Sequence, residues 1–172
     1  MSCIIIFQKL LCAGIFMTKK YSLRFFIGLS ICWVGIIFAN SVLPADVSKN
    51  LSNIPARLLT NILNSFTIDI HLVNMNALVR KIAHAFEFSV EAILLSILFT
   101  SFSKFKDFFI YVLFLGLFTA SIDEYIQLFS KGRGSEVSDI LIDFAGTILG
   151  ICIFLIFKGI FNLIKKFKVR TF

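Results

Sequence analysis

The chain has 172 residues, 58% of them hydrophobic, with 22 Phe and a mean hydropathy of +0.93. A soluble domain of this size has too little interior to hide so much apolar surface, so the composition points to an integral membrane protein. The net charge of +7 is no sign of a nucleic-acid partner, because the cations cluster beside apolar stretches, where they act as topology signals.

In chain order, the apolar run Cys3 to Phe16, broken by Gln8 and Lys9, is too short to span a bilayer and lacks a small-residue cleavage site. Residues 1–16 are expected to be an interfacial segment or the product of an upstream start codon, the second being favoured. Met17-Thr18-Lys19-Lys20 makes a more natural start, and residues 17–172 form one membrane domain. The first span is predicted at about 23–43. In the connection that follows, from about Asn40 to Asn76, Ser52 and Pro55 suggest the first turn of an amphipathic helix. Ile54, Leu58, Leu59, Ile62, Leu63 and Phe66 form its apolar side, and Arg57, Thr60, Asn61 and Asn64 its polar side. Such a helix either lies on the membrane surface or packs across the mouth of the bundle. His71 is isolated and carries no role.

Further apolar segments at about 79–100, 108–128 and 137–157 each have the ~20 residues a helix needs to cross a bilayer. The first of these spans only if its charges face protein. Lys131-Gly132-Arg133-Gly134 reads as a tight turn, and the acids and serines of Ser135 to Ser138 suit a helix start. The fold class is therefore all-α: a polytopic bundle of four transmembrane helices plus an amphipathic helix in the long connection. Lys19, Lys20 and Arg24, then Lys104 and Lys106, then Lys158, Lys165, Lys166, Lys168 and Arg170 fall on one side of such a bundle. By the positive-inside rule both termini are cytoplasmic and the long connection is outside. Lys131 and Arg133, in the short outer loop, run against that bias. Cys3, Cys12, Cys32 and Cys152 lack metal-ligand spacing and read as small hydrophobes.

Three spans share a four-three-four spacing of unusual residues. Arg80, His84, Glu87 and Glu91 form one row; Gly116, Ala120, Asp123 and Gln127 a second; Asp139, Asp143, Gly146 and Gly150 a third. Each row follows one helix face, and the first is about 16 Å long at ~1.5 Å per residue. With four spans the rows meet in the outer half of the membrane. Gly116, Ala120, Gly146 and Gly150 are small enough to let the third and fourth spans pack face to face beneath a polar chamber.

Ionisable groups in apolar helices are functional candidates by default. The bland alternative is a structural network, with Arg80 paired to Asp139 or Asp143 and Arg133 to Asp123 or Glu124. Against it, Glu87, Glu91, Asp123, Glu124, Asp139 and Asp143 outnumber Arg80, Lys81 and Arg133. Such an excess asks for bound cations, protonated carboxylates or a water-filled pocket. His84, oriented by Glu87 one turn away, is a candidate general base or proton relay. Equally, His84, Glu87, Asp123 and Asp143 offer ligands for a divalent cation. Neither reading names a cofactor.

The stretch Val79-Arg80-Lys81-Ile82-Ala83-His84-Ala85-Phe86-Glu87-Phe88, followed by Asp123-Glu124-Tyr125-Ile126-Gln127, then Gly132-Arg133 with Asp139 and Gly146, resembles the VanZ-like family of small bacterial membrane proteins. The likeness extends over about Arg24 to Phe157. It picks out Arg80, Lys81, His84, Glu87, Asp123, Glu124, Gln127, Arg133, Asp139 and Gly146. The chain departs from the family pattern at Phe88, where Tyr is common, at Glu91, where an apolar residue is usual, at Lys131, where Pro is frequent, and at Asp143, where Asn is typical. The resemblance implies an accessory envelope factor of the bacterial cytoplasmic membrane, of the kind linked to teicoplanin resistance.

Three functions are compatible with these residues. The first is a non-catalytic factor whose outer pocket binds a lipid head group, a lipid-linked cell-wall precursor, a lipidated antibiotic or a partner protein. There Arg80, Lys81, Glu91, Glu124, Gln127, Arg133, Asp139 and Asp143 are the ligand-binding candidates. The second is an intramembrane enzyme acting on a lipid-linked envelope substrate, with His84, Glu87 and Asp123 as the catalytic candidates. The third, a cation-coupled carrier, would require a homo-oligomer.

Overall fold

A computed structural model describes residues 19–65, 72–101 and 105–170, so the segment 1–16 and His71 lie outside the described residues. It contains five helices and, among the described residues, no strand: α1 Lys19–Val42, α2 Ala45–Ser65, α3 Leu72–Thr100, α4 Phe105–Gln127 and α5 Val137–Arg170. All but α2 are long and apolar enough to cross a membrane, over Leu23–Val42, Met75–Thr100, Phe108–Gln127 and Val137–Ile164. The last helix runs well past the predicted end at residue 157, since nothing in Lys158 to Arg170 stops a helix.

The chain reverses at each connection, so the α1–α2 link and the loop 128–136 share one end of the bundle. Helix α3 is the hub: it touches every other helix, and most extensively α5. Gly146 and Gly150 make that seam. A Cβ on Gly146 would collide with the Ala85 backbone, and one on Gly150 with the Ser89 carbonyl oxygen. The expectation that these glycines face the third span is thus corrected: one helix turn separates them, and both lie against α3. Gly116 does face α5, where a Cβ would overlap the Thr147 side chain. Ala120 packs instead with Ile37 of α1 and Phe88 of α3. Phe88 is fully buried there, in a place where a tyrosine hydroxyl would need a partner.

A second apolar cluster, Ala92, Leu95, Phe108, Val112 and Ile151, fills the opposite end of the bundle. Large side chains such as Phe25, Ile31, Ile110, Phe114, Leu141, Ile148 and Ile156 point outward, the surface a bundle needs when lipid is its solvent. Cys32 and Cys152 are free and exposed.

Helix α2 begins ten residues before Pro55, which therefore sits inside it rather than in its first turn. Proline there removes one backbone donor, leaving the Leu51 carbonyl without its usual partner. Both Leu51 and Pro55 are exposed, so no buried acceptor is orphaned. The helix start is held elsewhere, by the Ala45 amide donating to the Lys131 carbonyl oxygen at 3.1 Å. Its small and polar row, Ser52, Ala56 and Thr60, is buried. Ser52 donates to Asn76 of α3 at 2.9 Å, and Asn76 donates back to Asn53 at 2.7 Å. Ile54, Leu58 and Ile62 remain exposed. Through this row α2 packs against α3, and its apolar face turns outward.

Candidate functional site

At the end of the bundle beneath α2 lies a cavity of about 260 Å³. Helix α3 contributes Arg80, Lys81 and His84, α5 contributes Asp139 and Asp143, and α4 contributes Glu124 and Gln127. Arg133 and Glu136 come from the connecting loop, and Ser48 and Lys49 from α2. Glycine 132 adopts φ 77°, a backbone conformation that glycine enters without penalty, and so lets the chain turn tightly above the cavity.

The base of the cavity joins three helices. His84 Nδ1 lies 3.9 Å from Asp123 Oδ2 and 3.8 Å from Asp143 Oδ1. Asp123 is fully buried and held from two sides. Ser41 at the end of α1 donates to Oδ1 through a very short contact, and Gln127 donates to Oδ2 at 2.8 Å. Ser130 in turn donates to the Ser41 carbonyl oxygen at 2.6 Å, closing the loop over the end of α1. Asp143 is also buried, yet among the described residues neither of its carboxylate oxygens accepts a hydrogen bond, and His84 Nδ1 likewise has no hydrogen-bond partner.

The cations lie above this base. Lys81 pairs with Asp139 at 3.0 Å on the partly exposed rim. The expected pairs of Arg80 with Asp139 or Asp143, and of Arg133 with Asp123 or Glu124, do not form among the described residues. Lys81 takes Asp139, and the buried Nε groups of both arginines find no acceptor. Glu124 instead accepts the Glu136 amide at 3.0 Å, which fixes the loop to α4, while its Oε1 stays buried without a partner. Burial holds the Arg133 guanidinium below its ordinary pKa. The nearby Arg80 charge adds to that effect, whereas Asp123, Glu124 and Glu87 oppose it.

Two residues of the first polar row leave the cavity. Glu87 accepts a hydrogen bond from Asn40 Nδ2 at 2.7 Å, and its carbonyl oxygen accepts one from Trp33 Nε1 at 2.9 Å. It therefore binds α3 to α1, and the expected Glu87 contact with His84 is absent among the described residues: Glu87 turns toward Asn40, whereas His84 faces Asp123 and Asp143. Glu91 lies deeper, accepting from Thr119 of α4 at 2.8 Å, and does not line the cavity. Ser48, Lys49 and Glu136, which line the cavity, and Ser41 and Ser130, which support Asp123, are site residues that spacing alone did not reveal. The only signal was a polar pair, Asn40-Ser41, closing an apolar span, a place where polar residues need no special reason.

The fold and the site together define a multi-pass helical membrane protein with a polar cavity at one end of its bundle. The VanZ/LLP1 family model matches residues 26–158, a stretch that holds every cavity-lining residue, and the chain belongs to that family. No curated protein and no solved structure matches it.

Proposed function

We propose that this protein binds the anionic head group of a lipid-anchored molecule at the outer face of the bacterial cytoplasmic membrane. One observation carries the reading: the Nε groups of Arg80 and Arg133 are buried beside the cavity with no acceptor. Both arginine side chains are only partly buried, so the rest of each guanidinium stays available at the cavity, and its planar donors suit phosphate or carboxylate. A purely structural network would have closed these pairs within the protein. The single close Lys–carboxylate pair among the described residues, Lys81–Asp139, sits on the rim, where such pairs contribute little.

Helix α2 meets the cavity through Ser48 and Lys49, and its exposed apolar residues Ile54, Leu58 and Ile62 follow further along the same helix, so a ligand's acyl or prenyl chain would find apolar surface on the helix whose start flanks its head group. Lipid-linked cell-wall precursors and lipidated glycopeptides such as teicoplanin belong to this ligand class, which is where the family resemblance also points. Purified protein is expected to bind fluorescent phosphatidic acid and to discriminate against neutral diacylglycerol. Losing one charge-assisted contact in Arg133→Gln should weaken binding about 10- to 100-fold. Equal binding of both lipids, unaffected by Arg133→Gln, would sink the reading.

A second reading rests on His84 standing between two aspartates at the cavity base: an intramembrane enzyme using His84 and Asp123 on a lipid-linked substrate. A head group chemically altered only by wild type, and not by His84→Ala, would favour it. The outward orientation has its own test. In a cysteine-free background, a membrane-impermeant maleimide is expected to label Ser135→Cys in intact cells, and Asn162→Cys only after permeabilisation. The reverse pattern would place the cavity on the cytoplasmic side.

A further inference from the structure

We infer that His84, Asp123 and Asp143 form a binding site for one divalent first-row metal ion, Zn²⁺ or Mn²⁺, at the base of the cavity. Each residue offers one ligand atom, and the three atoms lie within 4.8 Å of one another. The histidine comes from α3 and the aspartates from α4 and α5, so the site is assembled only by the folded bundle.

Two arrangements compete for this geometry. In one, a protonated imidazole is shared between the aspartates; in the other, a metal ion sits among all three. A shared imidazolium should donate through Nδ1 to at least one carboxylate at about 2.7–2.9 Å. Instead Nδ1 stands 3.8 and 3.9 Å from the two oxygens, and it makes no hydrogen bond. Atoms bound to one ion at about 2.0–2.2 Å each are roughly 3–4 Å apart; the two His84 separations fall at the upper end of that range, and all three ligand atoms lie within 4.8 Å of one another.

Asp143 supplies the second observation. Its side chain is only 2% exposed, it faces His84, and both of its oxygens lack hydrogen bonds. A carboxylate so placed lacks the donors that would justify its burial. Asp123 shows the complement: Ser41 and Gln127 donate to it, the outer-shell support that metal-ligating carboxylates carry. One imidazole with two carboxylates suits Zn²⁺ or Mn²⁺ better than Ca²⁺, which favours oxygen ligands in larger numbers. Three protein ligands leave open positions toward the cavity, where Arg80 and Arg133 stand.

The test uses the full chain in lipid nanodiscs, stripped with a chelator, loaded with Zn²⁺ or Mn²⁺ alone, desalted and analysed for metal by mass spectrometry. No lipid ligand is added, so metal retention is scored apart from head-group binding. Wild type is expected to retain stoichiometric metal, as is the surface control Asp46→Asn. Affinity should fall more than about tenfold in His84→Ala and in the isosteric Asp143→Asn, and about tenfold in Gln127→Ala. X-ray absorption of the loaded wild type should show a single imidazole ligand. Absence of retained metal in folded wild type, or retention unchanged in both His84→Ala and Asp143→Asn, would overturn the inference.

Discussion

Replacing Gly150 with alanine is expected to destabilise the bundle by about 1–3 kcal/mol, and Gly146→Ala by a similar amount. The added methyl at Gly150 would collide with the Ser89 carbonyl oxygen and come within 2.9 Å of Ala92 Cβ. At Gly146 it would lie 2.9 Å from Ala85 Cα and 3.0 Å from the Ala85 carbonyl carbon, besides colliding with its oxygen. These obstacles are mainly backbone, so no rotamer change relieves them and α5 must move away from α3. The same movement would stretch the bond from Ser89 Oγ to the Gly146 carbonyl oxygen, now 2.8 Å. Interhelical bonds of this kind contribute about 0.6 kcal/mol in a membrane bundle. Being neighbours in one seam, the two substitutions should combine non-additively. Gly159→Ala is the control, because nothing lies within 4 Å of a Cβ there. Reversible unfolding in mixed micelles measures the difference. Equal stability of Gly150→Ala and wild type would show that the seam is looser than described.

Asp123→Ala is expected to be the most damaging single change near the cavity, costing up to about 3 kcal/mol. It removes the acceptor that joins α1 to α4. Gln127, itself only 6% exposed, loses the partner of its amide, while Ser41 can fall back on the Ile37 carbonyl oxygen at 3.1 Å. Asp123→Asn should cost far less, about 1 kcal/mol. Its carbonyl oxygen can still accept from Gln127, and its amide can donate to the Ser41 hydroxyl oxygen once that hydroxyl turns toward Ile37. The pair separates support of the bundle from function. If the aspartate serves a ligand, Asp123→Asn should lose function while keeping a near-native unfolding midpoint. If both variants unfold alike, the charge rather than the acceptor is what the bundle needs.

Much of this architecture is legible in the residues themselves. Four apolar stretches of membrane length admit few arrangements, and rows of period 3.6 on consecutive spans face one another when the chain reverses at each end. His84, Asp123 and Asp143 could be placed at one depth for that reason alone. Rotation of each helix about its axis was less accessible. Glu87 and Glu91 share a row with His84, yet one turns to Asn40 and the other to Thr119. A stripe spanning three turns is wide enough to touch two neighbours, and spacing does not say which. Pairing was the least legible. Lys81 is adjacent to Arg80 in sequence, and which of them reaches Asp139 depends on about 100° of rotation between consecutive helical residues. In α2 the apolar pattern was plain, but a hydrophobic face reads as inward in water and outward in lipid, so the buried side proved to be Ser52, Ala56 and Thr60.

The bond between the Ala45 amide and the Lys131 carbonyl oxygen has a consequence for size. It joins the start of α2 to the loop between α4 and α5, so part of the rim is a stitched main-chain frame rather than a row of movable side chains. Behind that frame lies about 260 Å³, somewhat less than the ~300–1,000 Å³ of pockets that enclose drug-sized molecules. A phosphate with a few waters fits such a space. The main-chain frame fixes one side of the entrance, so a small charged end enters more readily than the bulk of a large head group.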